Sequence, residues 1–91
     1  MVAFEWNEEK ARANVRKHRV DFADATTAIE DPFALTMRDD ASENEQRWIT
    51  LAMDATGRAL LVVRTWRAEV IRLISARPAT PAECRQYEEQ K

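Results

Sequence analysis

Residues 59–77, which read ALLVVRTWRAEVIRLISAR, decide the fold. Two runs rich in valine, isoleucine and leucine, residues 59–66 and 69–77, have the composition of strands, and a tight connection of two residues separates them. A third run, residues 47–53, alternates along the chain and leads into residues 54–57, whose Asp-Ala-Thr-Gly sequence is typical of a type I turn closed by glycine. The three runs predict an antiparallel meander.

Local signals predict three helices around these strands. Asn7 is a good N-cap with two glutamates behind it, so a first helix should run to about His18. Asp21 should cap a second helix, which should end at Asp31 because the residue before a proline avoids the helical region. The tetrapeptide TPAE at residues 80–83 is a capping box with proline in the first turn, and it predicts a C-terminal helix.

Two further strands are predicted at residues 4–6 and 33–38, and the acidic residues 39–45 are expected to form a loop. The element order is then β-α-α-β-β-β-β-α. This order predicts an α+β fold in which two N-terminal helices and one C-terminal helix lie apart from an antiparallel β-sheet. A chain of 91 residues can bury one modest core, so we expect a single domain over residues 1–91.

The composition excludes several kinds of protein. Gly57 is the only glycine, which excludes the glycine-rich phosphate loops of nucleotide-binding proteins. Cys84 is the only cysteine, so an internal disulfide is impossible, a cysteine-based zinc site is not expected, and the reducing cytoplasm is the simplest location. No apolar run approaches the roughly 20 residues of a membrane span, and the first residues lack the pattern of a secretory signal. We therefore predict no membrane association, no metal and no cofactor.

Charge is distributed unevenly along the chain. The formal net charge of −2 argues against a nucleic-acid-binding protein, yet residues 46–85 carry seven arginines and only three acidic residues. Residues 1–45 carry six basic and eleven acidic residues, and five of the basic ones lie between Lys10 and Arg19. A local basic patch can bind phosphate on an acidic protein, but the same pattern can also be charge balance on solvated surfaces.

Arginine inside apolar strands is the unusual feature of this sequence. Strict alternation would place Arg72 and Arg77 on opposite faces of their strand, and Arg64 among leucine and valine. Each arginine could simply pair with an acid, and the candidate acids are Glu45, Glu69 and Glu83. Alternatively, the arginines of the two adjacent strands could together clamp phosphate oxygens; these candidate site residues are Arg64, Arg67, Arg72 and Arg77.

Two further side chains are candidates for chemistry. His18 is the only histidine, and its side chain is the only one with an ordinary pKa near neutrality, so it could serve as a general acid or base. It could equally be a helix-terminal histidine that interacts with the helix dipole. Tyr87, on the expected inner face of the last helix, is a weaker candidate for a supporting hydrogen bond. The three tryptophans are better explained as core or interface anchors than as base-stacking platforms.

The residues that match a known family extend over nearly the whole chain. The combination of an N-terminal Lys-His pair with the C-terminal run Ile-Ser-Ala-Arg is more specific than either piece alone. In these positions the chain resembles the BrnT family of ribonuclease toxins, and the matching residues are Phe4-Glu5-Trp6, Lys10-Ala11, Asn14, Lys17-His18, Val20, Phe22, Ala25, Glu45-Gln46-Arg47, Gly57-Arg58, Arg72-Leu73-Ile74-Ser75-Ala76-Arg77, Ala79, Glu83 and Tyr87.

The resemblance implies a RelE-like α+β toxin that cleaves RNA and inhibits translation. It also implies a cognate BrnA-like antitoxin with a ribbon-helix-helix DNA-binding domain, so that the toxin would contact DNA only through the antitoxin. The candidate residues would then act in a metal-independent endoribonuclease, with His18 as acid or base and the arginines at the phosphate. One departure from the family pattern is Arg19, which stands where glycine usually follows the histidine.

Two alternatives to the ribonuclease hypothesis remain. The chain could be a catalytically weak binding module that acts as a co-repressor subunit with a DNA-binding antitoxin, and the net acidity and Arg19 favour this alternative. It could also be a generic small nucleic-acid-binding protein, whose mark would be a continuous basic face without a concave pocket.

Overall fold

A computed structural model gives the structure of the chain and describes residues 2–40 and 46–91. Residues 41–45 of the predicted acidic loop, including Glu45, lie outside the described residues. Eight elements follow one another in the predicted order: β1 (Ala3–Glu5), α1 (Glu8–His18), α2 (Phe22–Ile29), β2 (Leu35–Asp39), β3 (Arg47–Met53), β4 (Ala59–Arg67), β5 (Val70–Pro78) and α3 (Pro81–Gln90). The predicted α+β organisation is therefore confirmed.

The sheet has the strand order β1-β5-β4-β3-β2 and is mixed. The prediction of a purely antiparallel sheet was wrong at one edge, because β1 pairs with β5 in parallel, with Ala3 opposite Val70 and Glu5 opposite Arg72. The parallel direction has a physical reason. Because β1 runs in the same direction as β5, the chain after Glu5 continues alongside the second half of β5. The short β1 does not pair with that half, so α1 can lie against its open edge.

The core lies between α2 and one face of the sheet, which we call the helix face. Directly opposite residues of antiparallel strands share a face, so the register places Leu60 and Val62 of β4 on this side with Ala52 and Ala76. The second helix covers them with its buried stripe, Phe22, Ala25 and Ala28. Among the described residues, no helix combines the length and the apolar character that crossing a bilayer requires.

The buried side chain of Asn14 joins α1 to the sheet. Its amide nitrogen donates to the carbonyl of Ala76 (2.8 Å) and to the carbonyl of Val20 (2.9 Å), and its amide oxygen accepts from the backbone N–H of Ala76 (3.1 Å). The amide thus satisfies both polar groups of one β5 residue, as a neighbouring strand would. The same side chain also fixes the connection between the two helices.

The third helix packs on the other side of the sheet. The capping box predicted at residues 80–83 is present, with the Thr80 hydroxyl accepting from the Glu83 N–H and the Glu83 carboxylate accepting from the Thr80 N–H. The buried Tyr87 hydroxyl donates to Asp31 (2.5 Å), the residue that follows α2 and its C-cap. The Asp31 carboxylate also accepts from the backbone N–H of Met53, so it links α3 to the sheet.

The first helix ends in a left-handed residue that is not glycine. Arg19 has φ 61° and ψ 32°, and its N–H donates to the carbonyl of Val15. Glycine adopts this conformation without the clash between Cβ and the following backbone, which costs other residues roughly 1–2 kcal/mol. The family's usual glycine therefore fits this position better than the arginine does.

We expect Arg19→Gly to stabilise the protein by about 1 kcal/mol, because glycine removes the left-handed strain. Chemical denaturation monitored by circular dichroism measures the free energy of unfolding. The matched control is Arg16→Gly in the exposed interior of α1, which should destabilise by about 1 kcal/mol. Equal destabilisation by both substitutions would show that the conformation of Arg19 carries no strain.

A second prediction concerns the buried amide. Asn14→Ala should destabilise the protein by about 3 kcal/mol, because it leaves the N–H and C=O of Ala76 and the C=O of Val20 unpaired. Arg16→Ala on the exposed side of α1 is the control and should change the free energy of unfolding by less than about 0.5 kcal/mol. A loss below about 1 kcal/mol for Asn14→Ala in the same denaturation experiment would contradict the bridging role.

Candidate functional site

A β-bulge in β5 brings two of the candidate arginines onto one face. The register runs from Val63 opposite Ser75 to Arg64 opposite Leu73, so Ile74 is an extra residue. Strict alternation, which predicted opposite faces for Arg72 and Arg77, was therefore wrong beyond Ile74. The extra residue shifts the alternation of side chains between the two faces by one position. Arg72, Ser75 and Arg77 therefore all lie on the side of the sheet that faces away from α2.

This side, which we call the arginine face, also carries Arg67. Thr65 of β4 lies opposite Arg72, so both residues share this face. Arg67 stands two positions after Thr65 at the end of β4, and it therefore lies on the same face. Arg64 lies on the helix face instead, as the predicted alternation of β4 requires, opposite Trp48 and Leu73. Three of the four candidate arginines thus share a face and the fourth does not.

The register also reveals a polar row that crosses all five strands. From β2 to β1, successive opposite residues are Asp39, Arg47, Thr65, Arg72 and Glu5. Adjacent strands lie about 4.8 Å apart, so Arg47 and Arg72, two strands apart, have backbones about 10 Å from each other. Sequence reasoning did not include Arg47 among the site residues. The alternation of residues 47–53 carried the signal, because it puts Arg47 on the same face as Ile49 and Leu51.

Two of the candidate arginines on this face have carboxylate partners among the described residues. Arg72 pairs with Glu5 at 2.9 Å, and Arg77 makes a two-pronged pair with Glu83 at 2.8 and 3.0 Å. Hydrogen bonds from Arg77 hold the pKa of Glu83 at about 2, and the same contact raises the pKa of Arg77. The prediction that an arginine would pair with Glu83 is confirmed for Arg77. The capping box of α3 holds the carboxylate in place.

His18 lies at the edge of β5, at the end of α1. It lines a depression of about 200 Å³ together with Lys10, Lys17, Ile74 and Ser75, while none of the four candidate arginines is among the lining residues. Ser75 connects this depression to the arginine face, where it lies along β5 between Arg72 and Arg77. The basic end of α1 and the arginine face therefore meet at Ser75.

Tyr87 is a buried anchor of α3. Its side chain is 2% exposed, and burial together with the hydrogen bond to Asp31 raises its pKa to about 12. Burial would raise the pKa of Asp31, but the hydrogen bonds from Tyr87 and from two backbone N–H groups outweigh it and lower the pKa. The pair holds the end of α2 and α3 together.

The remaining candidate, Arg64, is partly buried on the helix face. Its Nε donates to the Thr50 hydroxyl at 3.2 Å, and burial lowers the pKa of the guanidinium. Within residues 2–40 and 46–91, no group of three His, Cys, Asp or Glu side chains is placed to hold a metal ion.

Comparison with known proteins identifies the family. Residues 6–83 match the family described as the ribonuclease toxin BrnT of type II toxin–antitoxin systems. The fold is similar to the crystal structure of the Brucella abortus ribonuclease toxin BrnT, with a TM-score of 0.68 and 20% sequence identity over 88% of this chain and 99% of the Brucella chain. A search among curated proteins gave no match. The match over residues 6–83 shows that the chain belongs to the BrnT family of ribonuclease toxins from type II toxin–antitoxin systems.

Proposed function

We propose that this toxin is an endoribonuclease that cuts RNA without a metal ion and thereby inhibits translation. In the proposed reaction the ribose 2′-oxygen attacks the adjacent phosphorus and loses its proton, while the bond from phosphorus to the 5′-oxygen breaks and that oxygen gains a proton. The products are a 2′,3′-cyclic phosphate and a 5′-hydroxyl. RNA is required because the nucleophile belongs to the substrate.

The observation that carries the proposal is the bulge at Ile74. It aligns Arg72, Ser75 and Arg77 on one face, beside the depression that contains His18. In the proposal, the guanidinium groups of Arg67, Arg72 and Arg77 neutralise the charge that develops on the phosphate oxygens, as forked donors do well. His18 transfers the proton as general acid or base.

Two of the initial candidates have other roles in this proposal. Tyr87 is a positioning residue, because its buried hydroxyl donates to Asp31 and secures α3, whose Glu83 orients Arg77. Arg64 does not take part in cleavage, because its side chain lies on the helix face, opposite to Arg67, Arg72 and Arg77.

The partner of the proposed toxin is a BrnA-like antitoxin. Membership of a type II family implies a protein antitoxin, and we infer that it carries a ribbon-helix-helix domain through which the complex binds DNA. We place the toxin in the cytoplasm, where its RNA substrates lie and where the free Cys84 would stay reduced.

One observation favours the co-repressor subunit as a second candidate. Arg72 and Arg77 are both engaged by carboxylates, and in a protein without catalysis these pairs would simply stabilise the surface. Cleavage assays separate the two functions, because a co-repressor subunit would bind the antitoxin and leave RNA intact.

The first functional prediction concerns His18. Expression without the antitoxin should arrest growth, and purified protein should cut a labelled RNA. His18→Ala should lower the cleavage rate by roughly 10²–10⁴-fold, because the acid–base group is lost. The control Arg85→Gln, on the exposed side of α3, should cleave like the unmodified chain. Full cleavage by the His18→Ala variant would remove His18 from the mechanism.

A second functional prediction concerns metal ions. The cleavage rate should be unchanged in excess chelator, because the proposed charges on the phosphate come from arginine. The measurement is the rate of RNA cleavage before and after chelation, with a magnesium-dependent ribonuclease as control. Activity that disappears with chelator and returns with magnesium would show metal-assisted cleavage instead.

A further inference from the structure

One end of the helix face carries a patch of arginine and tryptophan. The register places Arg38 of β2 opposite Trp48 of β3, and Trp48 opposite Arg64 of β4, with Trp66 two positions further along β4. We call these four residues the Trp–Arg patch. Helix α2 packs at the other end of this face, over Ala52, Leu60 and Val62. The proposed cleavage reaction uses none of the four.

Arg64 at the centre of the patch has no counter-charge among residues 2–40 and 46–91. Its Nε donates to Thr50, but its Nη1 is buried and has no hydrogen-bond partner among the described residues. No carboxylate of the described chain forms an ion pair with it, in contrast to Arg72 and Arg77. Arg64 as a whole is only half-buried and carries a permanent positive charge, so the accessible part of its side chain can take up an anion from another molecule.

The tryptophans around Arg64 provide the apolar part of the patch. Trp66 is 49% exposed although it is one of the largest apolar side chains, and the guanidinium carbon of Arg64 lies 6.0 Å from its ring centroid. Trp48 is half-buried beside them. Tryptophan and arginine, like tyrosine, are enriched among the residues that dominate the binding energy of protein interfaces.

We propose that the Trp–Arg patch docks a segment of the antitoxin that presents a carboxylate to Arg64 and an apolar side chain to Trp66. The charges are complementary, because Arg64 is a half-buried cation without an ion-pair partner among the described residues, and a carboxylate of the partner would supply one. The inference rests on the proposed function only in assuming the antitoxin as the partner.

An RNA strand fits the patch less well. A nucleic acid binds through several phosphates at once, and it needs a row of accessible cations. Besides the partly buried Arg64, the patch offers only Arg38, whose Nε already lies 3.9 Å from Asp40. The arginine face, with Arg67, Arg72 and Arg77, is the better electrostatic surface for a phosphate chain.

The consequence is that antitoxin binding and RNA cleavage depend on opposite faces of the sheet and can be separated by mutation. Arg64→Met removes the charge and keeps most of the side-chain volume, and Trp66→Ala removes the exposed ring. Each should weaken binding of the antitoxin at least tenfold and leave the cleavage rate within about twofold of the unmodified chain. Arg85→Met is the control that changes an arginine outside the patch.

The experiment uses the full chain and the protein encoded by the open reading frame adjacent to its gene, with dissociation constants from isothermal titration calorimetry. Thermal unfolding monitors the fold of each variant. Trp66→Ala changes an exposed side chain and provides the test if Arg64→Met fails to fold. A 2′-O-methylated single-stranded RNA of about 12 nucleotides serves as the competing ligand, and its affinity should not change in either variant.

The outcomes distinguish the two proposals. If the unmodified chain cleaves RNA and binds the antitoxin, while Arg64→Met and Trp66→Ala bind it normally, the docking proposal is wrong and the proposed function stands. Loss of RNA affinity with normal antitoxin binding would assign the patch to nucleic acid and overturn the proposal as well. Weakened antitoxin binding by a chain that does not cleave RNA would support the docking site and contradict the ribonuclease function.

Discussion

The fold depends on one buried amide. Asn14 lies on α1, but its hydrogen bonds go to the connection before α2 and to the edge of β5. Without it, β5 would present an unpaired edge next to a helix that offers no backbone partner. Because the amide both donates to and accepts from Ala76, it fixes the position of α1 along β5. It thereby also fixes where His18, four residues later, lies relative to Ser75.

Most of the secondary structure could be predicted from the sequence because the signals were local. Asn7, Asp21 and Thr80 cap their helices as predicted, since a side-chain oxygen at an N-cap acts within three residues of its own position. The pairing of β1 with β5 could not be predicted in the same way. A strand of three residues carries no periodicity, and its partner β5 lies more than sixty residues later in the chain.

The candidate site was only partly predictable for a related reason. Period-two alternation correctly placed Arg64 with the core, but it separated Arg72 from Arg77 because nothing in the run Ile-Arg-Leu-Ile-Ser-Ala-Arg marks the bulge at Ile74. A bulge depends on how two strands fit together, so it appears only when the partner strand is present. Arg47 was missed because its importance lies in the register across the strands, where it shares a row with Arg72.

The arginines of the two faces differ in how their charge is satisfied, and this difference separates their proposed roles. In the pair of Arg72 with Glu5 and in the pair of Arg77 with Glu83, one side chain is 23% and the other 37% exposed. The two-pronged pair of Arg77 with Glu83 is the stronger of the two and holds Arg77 in position. The single contact of Arg72 with Glu5 contributes little to stability, so a phosphate can replace that carboxylate at small cost. Such an arginine suits a substrate that must enter and leave. Within residues 2–40 and 46–91, Arg64 has no carboxylate to exchange. An anion that binds the accessible part of this half-buried side chain replaces no carboxylate of the described residues, which suits a partner that stays bound.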